Sequence, residues 1–229
     1  MRFRNFTRLE VERLESRWTP AGNVTASVVG DTVFIVGDPF DNRIVVQAGP
    51  NRVTVFGGTQ TTVNQQASPA IFNFDSAPKV VIETAQGDDF VSLLAFGCAG
   101  VTLLTGTGND EVFFLPGGLV GVVGNVTIDT AQGNDSIHLV DFSALGNLAV
   151  DAGKGDDAVE IDGAVVYGDV AVAMGEGDDS LRIIPGSFGD LVIGGALSLD
   201  GGPGYRDSIL LNFGFNTPPA AINIQGFEQ

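Results

Sequence analysis

A short acidic turn returns along the chain at near-constant intervals, and this restricts the fold to architectures that stack one unit on the next. It stands as Ala85-Gln86-Gly87-Asp88-Asp89, then Gly106-Thr107-Gly108-Asn109-Asp110 and Ala131-Gln132-Gly133-Asn134-Asp135. Two more copies are Gly153-Lys154-Gly155-Asp156-Asp157 and Gly175-Glu176-Gly177-Asp178-Asp179. A looser one, Gly201 to Asp207, carries one extra residue. The closing aspartates are 21, 25, 22, 22 and 28 residues apart. Self-similarity at such a period is the signature of a solenoid.

The segments between the turns are short and β-rich. Incoming runs such as Val126-Thr127-Ile128 and Leu148-Ala149-Val150 precede a turn, and outgoing runs such as Ser136-Ile137-His138-Leu139 follow it. Strict alternation sets Ile137 and Leu139, Val159 and Ile161, Leu181 and Ile183 on one face, with Ser136, His138, Glu160 and Arg182 on the other. One such coil cannot bury its apolar face, but stacking the next about 4.8 Å away pairs the backbone and extends the core together. The expected fold is all-β: a single-domain, right-handed parallel β-helix of about eight coils of ~22 residues.

The chain divides into a leader over 1–22, atypical N-terminal coils and a cap over 23–79, the regular solenoid over 80–215, and a capping strand over 216–229. Gly37 to Asn42 reads as a degenerate turn without its inner glycines. From Asn42 to Asp89 is about two periods, so one coil lacking the acidic turn is expected between them.

Charge narrows the function. The net charge is −17, yet residues 1–21 hold five Arg against three Glu, so the body carries −19. Such a body repels nucleic acid and anionic membranes and attracts cations. Scattered acids would only keep a β-rich surface soluble, but here they gather in the turns. Cys98 is the single cysteine, which excludes an intrachain disulfide and a cysteine zinc site; its apolar neighbours mark it as a buried thiol. No apolar run has the roughly 18 residues of a membrane-spanning helix.

Leu14-Glu15-Ser16-Arg17-Trp18-Thr19-Pro20-Ala21 resembles the LE-x-R-x-x-P-A leader that heads large secreted or surface repeat proteins in some bacteria. That resemblance implies export to the cell surface or extracellular space. The acidic turns resemble those of the RTX family, the hemolysin-type calcium-binding repeats. Gly153, Gly155, Asp157 and Val159 take the second, fourth, aspartate and apolar places of that pattern. Gly106, Gly108, Asp110 and Val112 do the same, as do Gly175, Gly177, Asp179 and Leu181. Ala85 and Ala131 depart from it by adding a methyl group, which predicts distortion there. The family runs its repeats in tandem every nine residues, whereas this chain has one turn per coil and so at most one row of sites.

The resemblance implies Ca2+ between stacked turns, held by Asp88, Asp89, Asn109, Asp110, Asn134, Asp135, Asp156, Asp157, Asp178, Asp179 and Asp207. A hard cation wants six to eight oxygens, carboxylates and carbonyls mixed, and would turn repulsion between stacked aspartates into cohesion. Glu83, Asp129, Asp151 and Asp200 precede several turns and are placed to add oxygens. Against this stands a metal-free reading, because Asp and Asn after Gly close turns with side-chain hydrogen bonds alone.

Parallel β-helices also house glycan lyases and hydrolases, which need a basic residue or facing carboxylates in one asymmetric cleft. The six basic residues of the body are scattered, the aspartates recur as equivalent copies, and His138, the lone histidine, is at an outward strand position. The sequence therefore reads as a non-enzymatic, calcium-binding structural or adhesion module. A metal-free scaffold for a surface glycan or protein partner is the alternative, and a glycan-active enzyme the third.

Overall fold

The computed structural model describes residues 22–67, 69–95, 97–116, 121–186, 191–214 and 218–228. The leader expected over 1–22 lies outside these, Gly22 excepted.

The first strands fold back on themselves. β1 (Gly22–Val29) and β2 (Thr32–Val36) form an antiparallel hairpin. β3 (Arg43–Ala48) is flanked by antiparallel β4 (Arg52–Gly57). The short β5 (Thr61–Val63) then pairs with β1, and β6 (Ala70–Asn73) with β4.

Regular coiling follows. Each coil has an incoming strand, the acidic turn and an outgoing strand. The pairs are β7 (Lys79–Glu83) with β8 (Phe90–Ala95), β9 (Gly100–Leu104) with β10 (Glu111–Pro116), and β11 (Val126–Asp129) with β12 (Ser136–Ala144). Next come β13 (Leu148–Asp151) with β14 (Ala158–Val166), and β15 (Val170–Ala173) with β16 (Ser180–Ile184). The short β17 (Leu191–Ile193) lies in the return before β18 (Ala196–Asp200), β19 (Ser208–Leu211) and β20 (Ala221–Gln225).

Incoming strands make one sheet, in the order β20-β18-β15-β13-β11-β9-β7-β2-β1-β5. Outgoing strands make the other, β19-β16-β14-β12-β10-β8-β3-β4-β6. From β2 and β3 onward every rung between successive coils is parallel, as in Ile137↔Val159↔Leu181. The expected all-β parallel solenoid is therefore the fold.

The coil count is lower than the eight expected. Five complete turns start at β7, β9, β11, β13 and β15 and return to the same sheet. No coil lies between Asn42 and Asp89: β2 pairs with β7 and β3 with β8, so that stretch is a single step along the stack. Its extra length goes into the hairpin strands β4 to β6, because an end strand can satisfy its backbone by folding an antiparallel neighbour onto itself.

The alternation resolves as the spacing requires. Val126 and Ile128, Leu148 and Val150, Ile137 and Leu139, Val159 and Ile161 are all buried between the sheets, one pair per strand. A third wall closes the coil between the outgoing strand and the next incoming one. β12 and β14 turn a corner at Asp141 (φ 44°) and Gly163 (φ 75°), and beyond it Phe142, Ala144, Ala164 and Val166 bury inward, with Leu191 and Ile193 of β17 beside them. Cys98 is buried, and that burial pushes its thiol up to about 11.

Leu139 lies mid-stack with no exposure and is covered by coils on both sides. Leu139→Ala is expected to cost about 3 kcal/mol, the range for a buried leucine that leaves a cavity. Urea unfolding would show the midpoint falling, with Leu145→Ala, at an exposed position, almost unchanged.

Candidate functional site

The acidic turns stack into two columns that face opposite ways. The inner column is buried and runs Asp89, Asp110, Asp135, Asp157, Asp179, Asp207. The outer one is exposed and holds Asp88, Asn109, Asn134, Asp156 and Asp178. The eleven residues expected to act together are thus divided between two columns. Asp207 joins the inner one despite its longer turn.

Each inner carboxylate closes the turn of the coil before it. The amide of Asn42 donates to Oδ1 of Asp89 (2.6 Å), that of Asp89 to Asp110 (2.8 Å), and that of Asp110 to Asp135 (2.7 Å). The chain continues from Asp135 to Asp157 (2.8 Å), Asp157 to Asp179 (2.8 Å) and Asp179 to Asp207 (3.0 Å). The outer column runs the other way. There the amide of each coil donates back to the side chain before it: Asn109 to Asp88 (2.8 Å), Asn134 to Asn109 (2.9 Å), Asp156 to Asn134 (3.0 Å) and Asp178 to Asp156 (3.0 Å).

Glycine makes this stacking feasible. At Gly108 and Gly155, with φ of 138° and 129°, an added Cβ would fall on the carbonyl oxygen of Gly87 or Gly133 one coil earlier. Ala85 and Ala131 do not break the pattern, as their methyl groups suggested. Both adopt positive φ, 82° and 63°, and the bridges from Gln132 to Thr107 and Lys154 persist. The departure is a strained backbone in an intact turn.

One atom per inner carboxylate has no partner. Oδ2 of Asp89, Asp110, Asp135, Asp157, Asp179 and Asp207 is buried without a hydrogen bond, as is Oδ1 of Asn42 at the head of the column. Threonines line the first half, but their hydroxyls go to backbone: Thr84 donates to the Thr105 carbonyl (3.1 Å) and Thr130 to that of Ala152 (2.9 Å). Burial pushes five of these acids up. Asp89 rises from 3.8 to about 7, against the opposing pull of the Asn42 amide. Asp157 rises to about 7 and Asp135 to about 6, burial leading in both; Asp110 and Asp179 rise for the same reason.

A calcium cage needs six to eight oxygens. The inner Oδ1 atoms already accept amides. So do the turn carbonyls of Ala85, Gly106, Thr107, Ala131, Gln132, Gly153, Lys154 and Glu176, from neighbouring coils at 2.7–3.0 Å. Among the described residues no three His, Cys, Asp or Glu side chains converge to hold a metal ion. The turn oxygens left without a partner are the lone Oδ2 of each coil, the feature that favours a cation. Asp129, Asp151 and Asp200 line a shallow depression on the outer face of the incoming sheet with Ala149, Ala171 and Ser198, and of the three Asp200 reaches its turn, where its Oδ1 accepts the Gly202 amide (3.0 Å).

Two further ladders escaped the sequence reading. At another corner Asn147 donates its amide to Oδ1 of Asn125 (2.9 Å), Asp169 to Asn147 (2.9 Å) and Ala196 to Asp169 (2.8 Å). Its signal is the pairs Gly124-Asn125, Gly146-Asn147 and Gly168-Asp169, each immediately ahead of an incoming strand. On the outer face of the outgoing sheet Arg43 lies over Phe90 (4.3 Å), and Phe113 stacks on His138 (4.8 Å). His138 Nδ1 faces Glu160 (3.4 Å), which pairs with Arg182. His138 is thus outward, as expected, and held between its neighbours.

The chain matches no protein-family model, no curated protein and no solved structure.

Two predictions follow from the inner column and its glycines. A carboxyl whose folded pKa is raised binds more protons folded than unfolded, so its stability is fully present below the unfolded value and is lost as pH rises through the folded one. Thermal midpoints at fixed ionic strength should fall steadily from about pH 4 and level off above about pH 7, once Asp135, Asp89 and Asp157 are ionised in the folded state as well. Asp135→Asn keeps the acceptor oxygen, removes the charge, and should flatten that slope. In urea titrations Gly155→Ala should cost about 3 kcal/mol through backbone displacement, while Ala131→Gly should gain about 0.5 kcal/mol by relieving strain.

Proposed function

We propose that the chain is a non-catalytic structural module, an exported β-solenoid that serves as a spacer or display rod at the cell surface and holds its turns without a metal. The observation that carries this reading is the pair of opposed ladders. Side-chain oxygens close each acidic turn against its neighbour, and the turn carbonyls named above are spent between coils. Export rests on the resemblance of the leader, and the acidic body suits a partner other than nucleic acid. Equivalent copies of one turn support scaffolding over catalysis, which asks for a single asymmetric constellation. A surface glycan or protein is the kind of partner such a rod would present.

A second reading is favoured by the row of unpartnered Oδ2 atoms. In it Ca2+ is taken by Asp89, Asp110, Asp135, Asp157, Asp179 and Asp207 and supplies positive charge to a column of stacked acids. Circular dichroism and thermal unfolding in excess EDTA and in about 10 mM Ca2+ separate the two, that level lying above the affinity range of extracellular calcium modules. The first reading expects the same β spectrum in both, midpoints within a few degrees, and no binding heat by calorimetry. An unfolded chain in chelator, or a midpoint rising by 10 °C or more with calcium, would overturn it in favour of the second.

A further inference from the structure

The outer face of the outgoing sheet carries a pocket beside the turn between β3 and β4. Val53 and Val55 of β4 lie in the core with no exposure, so alternation turns Arg52, Thr54 and Phe56 outward. Gln47 of β3 and Ile71 of β6 flank Thr54 in the same rung. The turn through Pro50 and Asn51 is closed by the Gly49 amide, which donates to the Arg52 carbonyl (2.8 Å). With Pro69 these residues enclose a cavity of about 580 Å³, within the range of small-ligand sites. All of its lining comes from one internal segment, 47–71.

Two groups in this lining have no use inside the chain. Thr54 is only 6% exposed, and its hydroxyl takes no hydrogen bond among the described residues. That oxygen is not sealed from outside, and the pocket is its open side. Arg52 makes no ion pair among the described residues of a chain at −17, whereas Lys154 and Arg182 are each paired with a glutamate. Around them Gln47 and Asn51 bring amides, each with N–H donors and a carbonyl acceptor. Phe56, Ile71, Pro50 and Pro69 supply apolar wall.

We propose that this pocket binds one acidic sugar residue, a hexuronate of a surface polysaccharide. The Arg52 guanidinium presents a planar fork that matches a carboxylate. The Thr54 hydroxyl and the two amides offer donors and acceptors together, as ring hydroxyls require, and the apolar side chains take the C–H face of the ring. A neutral sugar leaves Arg52 unpaired, and an inorganic anion leaves the amides and the apolar wall unused. Repulsion of an anion by the acidic body is screened within about 8 Å at physiological salt, whereas the contact with Arg52 is local. The inference rests on the reading of the chain as a non-catalytic surface module and is independent of whether the acidic turns take a metal.

The test titrates the full chain with D-glucuronate and D-galacturonate, and with D-glucose and inorganic phosphate for comparison, following amide chemical shifts and binding heat. At least one uronate should bind in the millimolar range and shift the amides of Asn51, Arg52, Thr54 and Ile71. Glucose and phosphate should each bind about tenfold more weakly or worse, the worth of a charged hydrogen bond or several neutral ones. Arg52→Gln should weaken the uronate about tenfold or more, and Arg182→Gln, the same charge change at a paired arginine, should leave it unchanged. Thr54→Val should weaken it about three- to tenfold while the thermal midpoint holds or rises, a split that a structural hydroxyl would not give. Absence of uronate binding by the folded chain, equal binding of glucose or phosphate, shifts away from the pocket, or full affinity in Arg52→Gln would overturn the inference and leave the module reading standing. Cleavage of a polyuronate with the same pocket shifts would support the pocket and overturn the non-catalytic reading instead.

Discussion

The structure depends on the backbone amide at the end of each acidic turn having an acceptor one coil away. In a parallel stack the strands satisfy one another, but a tight turn carries amides that no strand reaches, and a buried amide without a partner costs roughly 1–3 kcal/mol. The closing aspartate supplies the acceptor for the previous coil, and its neighbour supplies one for the next. Both needs are met once per coil, which is why the acidic pair recurs at the coil period and not elsewhere. Asn125, Asn147 and Asp169 meet the same need at another corner.

Meeting it with a carboxylate has a cost that asparagine would avoid. One oxygen is used and the other is left buried beside its equivalents. The column therefore holds acids whose charged form is disfavoured, within a chain already at −17. Asn42, which heads the column, shows that an amide is accepted at this position. Whatever neutralises Asp89, Asp110, Asp135, Asp157 and Asp179, proton or cation, acts on stability and not on the route of the backbone.

The period, the strands and the inward residues were legible because they rest on local rules: glycine where φ is positive, alternation where one face is buried. The acidic residues were legible as a set, but their division into a buried and an exposed column was not. That depends on which neighbouring coil an amide faces. The long step from Asn42 to Asp89 misled for a related reason, since length alone cannot tell a coil from a hairpin folded onto an end strand. The third wall hid because β12 and β14 run through a corner at Asp141 and Gly163 without a turn signature. Cation binding at the turns was read from residue types, and geometry shows how many of those oxygens are already engaged.

The opposed direction of the two columns also sets how the rod bears load. A pull along its axis stretches both sheets and both columns at once, each coil gripping its neighbour from inside and outside. A pull on the last coil instead peels it away rung by rung, and releases only that coil. Each of the 22-residue coils would pay out about 75 Å of extended chain. The same bonds make the body stiff in tension and yielding in peel, a strap that lengthens in fixed steps.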